Sequence, residues 1–286
     1  MKRNTSKRIL ITGASSGIGF DAAKALAQQG HTVFAAARRV ALMEPLREFG
    51  VTPVALDVTD QASIAACLEA VGEVDVLINN AGYGYFGPIE VVSDQEARRQ
   101  LDVNLFGLAA LCRAVLPGMR ERGSGRIINV ASVAGRACLY FGGWYNVSKF
   151  AVEAFSDALR MEVSPFGIDV VLIEPGGIKT EWGIIAADHL SECTAGTAYE
   201  APALREAGVM KTGYTIDLLS KPSTVTRGIV RAVKARRPRA RYHMGAGSGS
   251  IIFWHTVLPT RLWDAIMRML AHPGIAKFVS KLNKRT

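Results

Sequence analysis

Tyr145 and Lys149 stand four residues apart in the stretch Tyr-Asn-Val-Ser-Lys. At helical period this spacing puts a phenol and an ammonium on one face. A neighbouring ammonium favours the phenolate, so the tyrosine pKa is expected below its usual value of about 10. Such a tyrosine can give or take the proton of a carbonyl or alcohol oxygen. Ser132, thirteen residues earlier at the end of an apolar run, could hydrogen-bond that same oxygen. If hydride reaches the carbonyl carbon while Tyr145 protonates the oxygen, no alkoxide charge accumulates. A lone Tyr-x-x-x-Lys is more often a surface pair, so its surroundings decide.

A second chemical feature lies near the start, at Thr12-Gly13-Ala14-Ser15-Ser16-Gly17-Ile18-Gly19. An apolar run precedes it and a helical pattern follows. Glycines there permit a tight turn and close approach, and a helix N-terminus offers free N–H groups to a pyrophosphate. The spacing is T-G-x-x-x-G-x-G rather than G-x-G-x-x-G, and alone it is weak; its place between strand and helix favours a dinucleotide over a plain turn. The next strand ends Ala35-Ala36-Ala37-Arg38-Arg39. An acid there would bind the ribose 2′-hydroxyl of NAD, whereas two guanidiniums suit a 2′-phosphate. NADP(H) is therefore the expected cofactor, with NAD(H) possible. The plainer alternative is that Arg38 and Arg39 begin a solvated helix.

The elements that must position these groups can be read from periodicity. Strands are expected at Arg8–Thr12, Thr32–Ala37, Thr52–Leu56, Val74–Asn79, Arg126–Val130 and Asp169–Ile173, with helices near 17–29, 40–49, 60–71, 94–122 and 144–163. The strands are continuously apolar, as burial on two faces requires. Strand–helix alternation implies an α/β, doubly wound parallel sheet with helices on both faces. No repeat or linker divides residues 1–286, so a single domain is expected. The stretch 177–221 breaks the pattern, and 181–221 is expected to be a mobile substrate flap. Residues 251–286 read as a helical extension.

Thr12–Gly19, Asn79-Asn80-Ala81-Gly82, Asn104, Ser132, Tyr145, Lys149 and Pro175-Gly176 occur together. In order and spacing they resemble the short-chain dehydrogenase/reductase family, over about residues 7–180. The resemblance implies a Rossmann-type sheet of about seven strands and hydride transfer with a nicotinamide. By family role Tyr145 would be the proton donor or acceptor and Lys149 would hold the nicotinamide ribose. Ser132 would orient the carbonyl, and Asn104 would anchor a proton-relaying water. Cofactor contacts are implied for Gly13, Ser15, Ser16, Gly17, Ile18 and Gly19. They are also implied for Arg38, Arg39, Asp57, Val58, Asn80, Ala81, Gly82, Pro175, Gly176, Ile178 and Thr180. Asp57 matches the adenine contact, Asn80 the residue steadying the sheet, and Thr180 the carboxamide ligand.

Tyr83, Tyr85 and Phe86 follow the Asn-Asn-Ala-Gly turn, Tyr140, Phe141 and Trp144 precede Tyr145, and Trp182 opens the flap. Tyr83, Tyr85, Phe141, Trp144 and Trp182 are the substrate candidates. An apolar pocket of this kind suits a steroid, retinoid, aryl ketone or other lipophilic carbonyl. Arg38 after the second strand and Gly87-Pro88-Ile89-Glu90 resemble the hydroxysteroid and retinol dehydrogenase-like branch, although several of the aromatic rings could simply pack the core. The leading expectation is an NADP(H)-dependent carbonyl/alcohol oxidoreductase. A 3-oxoacyl-thioester reductase is the nearest rival, and a non-catalytic NADP-sensing regulator is the rival from another class. The direction of reaction is not readable, beyond a tilt toward reduction from NADP use.

The chain has 286 residues, is 49% hydrophobic and 21% charged, and carries a formal charge of +9. Disordered, collagen-like and disulfide-scaffold classes are excluded by such composition. Four cysteines stand far apart, without a CxxC pair or a clustered His, so neither a disulfide framework nor a metal site is expected, and a cytoplasmic setting fits. The charge divides into +4 over residues 1–8, −7 over 9–226 and +12 over 227–286. The Arg236–Arg241 cluster lacks any nucleic-acid motif, so nucleic acid is not an expected partner. No secretory signal is expected behind the basic start, since only Ile9–Ile11 follow before Thr12. The run Ile251–Leu258 is too short to span a membrane, and no transmembrane helix is expected.

Trp263, Ile266, Met267 and Leu270 form an amphipathic stripe with basic flanks. It could close over the substrate cleft or a partner subunit, or dock peripherally on anionic lipid with Phe253 and Trp254. Leu101, Leu105, Leu108, Cys112 and Met119 form one stripe, and Val147, Ala151, Ala154, Phe155 and Ala158 another. In the resembling family these two helices build a subunit interface, implying a homodimer or homotetramer; the same stripes could face only the sheet.

Overall fold

Seven short runs of apolar residues form one parallel sheet, in the order β3-β2-β1-β4-β5-β6-β7. The computed structural model describes residues 6–215 and 218–270. The strands are β1 (Arg8–Thr12), β2 (Thr32–Ala37), β3 (Thr52–Ala55), β4 (Val76–Asn79), β5 (Gly125–Val130), β6 (Ile168–Pro175) and β7 (Arg241–Met244). Burial on both faces follows from strand period. Leu10, Leu77, Ile127 and Leu172 point into one core cluster, while Ile9, Ile11, Ile78, Ile128 and Ile173 point into the other. Each such buried side chain contributes about 1.5–3 kcal/mol.

Helix α1 (Gly17–Ala27) and α8 (Pro222–Lys234) cover the second cluster through Ala22, Leu26, Val225 and Ile229. On the opposite face lie α2 (Gln61–Val71), α3 (Asp94–Leu101), α4 (Leu108–Glu121) and α5 (Gly143–Val163), with Leu111, Met119, Val152 and Leu159 in the first cluster. The expected α/β, doubly wound sheet of seven strands is the observed architecture. Strand order reverses between β1 and β4, which opens a crevice at their carboxyl ends.

Four differences from the sequence reading have physical causes. Residues Val40–Phe49 form a 3-10 helix, with Pro45 inside it. The helix expected over 94–122 is interrupted by a π-helical turn at Asp102–Gly107. The continuous run Asp94–Glu121 is long and apolar enough to cross a membrane by length and composition, yet Leu111, Cys112 and Met119 are buried against the sheet. The segment read as a flap is two helices, α6 (Glu181–Thr194) and α7 (Glu200–Thr215). Their contact uses Ala186, Ala187, Ala203 and Ala207, small residues that bring helices close without an obvious apolar stripe.

The end of the chain is also helical, as α9 (Ser248–Val257) and α10 (Thr260–Leu270). The rest of the expected extension, residues 271–286, lies outside the described residues, as do 1–5. Arg241 belongs to the basic cluster yet serves the interior. Its guanidinium donates to Glu153 at 3.1 Å and to Asp157 at 2.6 Å, tying β7 to α5. Of the two helix stripes considered for a subunit interface, Leu108, Cys112 and Met119 face the core.

Candidate active site

The glycine-rich turn leaves β1 and is held from across the strand-order reversal. Thr12 Oγ1 accepts from the backbone N–H groups of Asn80 and Ala81, each at 3.0 Å. Asn80 Nδ2 donates to the carbonyls of Thr12 and Gly13, at 3.0 and 3.2 Å. Gly13 has φ +66°, and a Cβ there would lie 2.8 Å from the Ala81 Cα. At Gly19 a Cβ would meet the Gly13 carbonyl oxygen at 2.5 Å. Both positions require glycine, so the sequence motif has a steric reason.

Ser132 follows β5, and its Oγ accepts from the Ala134 N–H at 3.1 Å, capping a short 3-10 turn. Tyr145 and Lys149 project from the first turns of α5, and both are buried. The Lys149 ammonium lies 5.9 Å from the Tyr145 ring centroid and donates to the Val130 carbonyl at 2.9 Å. The expected lowering of the tyrosine pKa is reversed in this chain. Burial pushes the phenol up to about 12, against a smaller lowering by the Ser132 hydrogen bond. Burial likewise brings Lys149 down to about 8, with Glu153 opposing. Desolvation of the two buried groups sets both directions. A neutral phenol is the proton-donating form.

Asn104 sits in the π-helical turn. Its Oδ1 accepts from the Tyr83 N–H at 3.0 Å, and its Nδ2 donates to the Tyr83 carbonyl at 2.9 Å and Ser148 Oγ at 3.0 Å. Asn104 thus links the loop after β4 to α5. A Cβ on Gly82 would lie 3.0 Å from Asn104 Oδ1 and 3.8 Å from Lys149 Nζ, so the three positions meet.

A cavity of about 820 Å³ joins these parts. Gly13, Ser16, Gly17, Ile18, Asn80 and Gly82 line one side. Ser132, Tyr145, Lys149, Pro175, Gly176, Ile178 and Thr180 line the rest of the predicted site. Ser15, Gly19 and Ala81 do not line it; Gly19 and Ala81 pack behind, against Gly13. Arg38, Arg39, Asp57 and Val58 lie past the ends of β2 and β3, outside the cavity wall. Asp57 accepts from the Thr59 N–H at 3.0 Å and hydroxyl at 2.7 Å. The Thr59 backbone bond, with Arg38 and Arg99 nearby, holds its carboxyl below the usual value.

Of the substrate candidates, Tyr83 and Trp182 line the cavity, with the Trp182 ring tilted by 51° at 5.0 Å from Tyr145. Tyr85, Phe141 and Trp144 do not. Tyr85 stacks on His189 at 4.9 Å, and its backbone N–H donates to Gln100 Oε1. Phe141 packs on Tyr140 at 4.1 Å and borders a separate groove with Val147 and Phe150. Trp144 is half-buried away from the cavity. Phe86, in contrast, stands 5.6 Å from Tyr145 and 5.9 Å from Trp182 and lines the wall. Glu206, Met210, Tyr214, Ile251 and Met267 also line it, all from helices beyond the motif-bearing core. Their signal is the helical spacing of 206, 210 and 214, hidden among small residues.

The site fits a dinucleotide. Ser16 at the start of α1 makes no side-chain cap bond and the first turn holds no acid, so the leading N–H groups are open to an anion. The model of the short chain dehydrogenase family matches residues 7–188, which carry this entire constellation. The chain belongs to the short-chain dehydrogenase family. As such it is an oxidoreductase acting on CH–OH groups. It is 34% identical to a probable short-chain type dehydrogenase/reductase, VdlC, of Helicobacter pylori over 267 residues, 91% of this chain and 96% of the relative. A 3-ketodihydrosphingosine reductase of Bacteroides thetaiotaomicron is 42% identical over 191 residues, 65% of this chain and 68% of that one. A solved short-chain dehydrogenase of Streptomyces avermitilis superposes with TM-score 0.75 at 34% identity, covering 90% of this chain and 93% of that chain. Serine dehydrogenase complexed with NADP+ superposes with TM-score 0.69 at 27% identity, covering 83% and 94%.

Proposed function

We propose that this protein is an NADP(H)-dependent oxidoreductase that interconverts a carbonyl and an alcohol on a lipophilic substrate. The observation that carries the reading is the single cavity in which the glycine-rich turn, Tyr145 and an apolar wall of Phe86, Trp182, Met210 and Met267 converge. When bound, the nicotinamide supplies or accepts the hydride. Tyr145, held neutral by burial, gives its proton to the carbonyl oxygen during reduction. Ser132 orients that oxygen from the strand end. Lys149, anchored on Val130, stands beside the phenol as the cation that favours its return to the ionised form in the reverse direction. The exposed pair Arg38 and Arg39, at the end of β2, supports selection of a 2′-phosphate. The NADP+ bound by the structurally similar serine dehydrogenase agrees with this.

The name of the relative that reduces 3-ketodihydrosphingosine supports a lipophilic ketone. NADPH oxidation over a panel of long-chain, steroid and aryl ketones, with Tyr145→Phe as control, tests the reading. Full activity of that variant would show that the chemistry runs elsewhere.

A reducing cytoplasmic location is supported by four free cysteines. Exposed Phe106, Val147 and Phe150 near the two interface-type helices support a homodimer or homotetramer. Peripheral contact with an anionic membrane is supported by α9 and α10, which combine exposed Phe253, Trp254, Leu262 and Met269 with Arg261 and Arg268. Ile251 and Met267, on the same two helices, line the cavity, so a docked surface would adjoin the substrate site.

A further inference from the structure

Helix α7 shows two unlike faces. Ala203 and Ala207 are buried with Ala186, Ala187, Phe86 and Tyr145, which presses the helix onto the catalytic region. Glu206, Met210 and Tyr214 follow at i, i+4 and i+8 and line the cavity. Tyr214 is already engaged, accepting from the Gly183 N–H at 2.9 Å and donating to the Thr180 carbonyl at 2.5 Å. Glu206 has no hydrogen bond or ion pair among the described residues, and burial alone raises its carboxyl to about 7. Glu181, the other acid on the wall, is exposed. Glu206 is half-buried on the wall that also carries Met210, Phe86 and Trp182. Lys149 and Lys179 line the same cavity, yet burial is the only cause of the raised Glu206 pKa, so a cation brought in by a ligand would relieve the cost of ionising it.

Resting on the reductase reading above, we propose that Glu206 is the specificity group for a protonated amine on an otherwise apolar substrate. The substrate class is then an amphiphilic amino ketone or amino alcohol. Its chain packs against the aromatic and methionine wall, its ammonium meets the Glu206 carboxylate, and its carbonyl reaches Tyr145. A carboxylate accepts but does not donate, so an ammonium meets it with both charge and hydrogen bonds. A hydroxyl brings only the bond.

Calorimetric titration of the full chain with n-octylammonium and with 1-octanol tests this without turnover. The amine-to-alcohol affinity ratio is expected to be about tenfold or more, to fall to about one in Glu206→Gln, and to recover in Glu206→Asp. Met210→Lys puts an ammonium one turn away on the same face and should also abolish the ratio, whatever the folding of the Gln variant. Equal affinity for both probes in the natural chain overturns the proposal. So does a ratio that survives Glu206→Gln, or octanol binding that falls as far as amine binding. If the amine preference holds while no ketone is reduced, the reductase reading fails and the subsite stands.

Discussion

Lys149 on α5 and Val130 at the end of β5 are joined by a 2.9 Å hydrogen bond in which a buried ammonium donates to a strand carbonyl. The bond fixes the cation beside Tyr145 at the cost of desolvating it, and the cost has a measurable sign. Folding lowers the Lys149 pKa from 10.5 to about 8. Below pH 8 the buried charge opposes folding in full, and the penalty disappears as pH rises through the unfolded value. Lys149→Met is therefore expected to lose activity while melting no lower than the natural protein at pH 7. Its advantage in thermal unfolding should shrink between pH 8 and 10.5. A variant that melts lower at pH 7 would show that the Val130 bond outweighs the desolvation.

Tyr145 offers a second pH test. With its phenol raised to about 12 by burial, the proton donor stays loaded throughout the neutral range. Ketone reduction is expected to keep its kcat from pH 6 to 8, whereas alcohol oxidation, which needs the ionised form, should climb over the same interval. Tyr145→Phe should cost about 10²–10⁴-fold in either direction. A reduction rate that already falls across the neutral range would indicate a donor of lower pKa.

Arg38 lies exposed just past β2, with Ala37 where an acid would select NAD. Arg38→Asp is expected to raise the ratio of NADH to NADPH specificity by at least about tenfold, since a 2′-phosphate loses its guanidinium and gains a repelling carboxylate. Steady-state kcat/KM with each cofactor gives that ratio. No change would transfer the role to Arg39 or remove it altogether.

Phe253 and Trp254 are 56% and 52% exposed on α9, within the basic sequence stretch 227–286. Co-sedimentation with anionic vesicles at low salt should retain the protein, and neutral vesicles should not. Replacing both aromatics with Ser should release it. Equal recovery in the supernatant with both vesicle types would remove membrane contact from the proposal.

Local chemistry was legible and tertiary consequence was not. Tyr145, Lys149 and the glycine-rich turn could be read because each depends on spacing within about one or two helical turns. The sheet was legible because its strands are apolar on both faces. Helices α6 and α7 were hidden because Ala186, Ala187, Ala203 and Ala207 pack by smallness, which hydrophobic periodicity does not register. Tyr85 and Trp144 looked like pocket residues because an aromatic near the motif carries no sign of its direction. The direction of the Tyr145 shift is hidden for a related reason: a neighbouring charge shows in the sequence, and burial does not.

The π-helical turn at Asp102–Gly107 makes the catalytic site sensitive to length as well as to identity. Such a turn holds one more residue than a regular helix allows over the same rise. Deleting a single residue there, even Phe106 on the exposed side, would restore an uninterrupted helix from α3 to α4. The faces of α3 and α4 would stay in register, because the turn absorbs the surplus residue, and the side chains inside the turn would be re-aimed. Asn104 would then lose either Tyr83 or Ser148, although every motif residue was still present in the chain. A relative with an intact motif set but one residue fewer in this helix is thus a candidate for a silent enzyme, recognisable by counting rather than by comparing side chains.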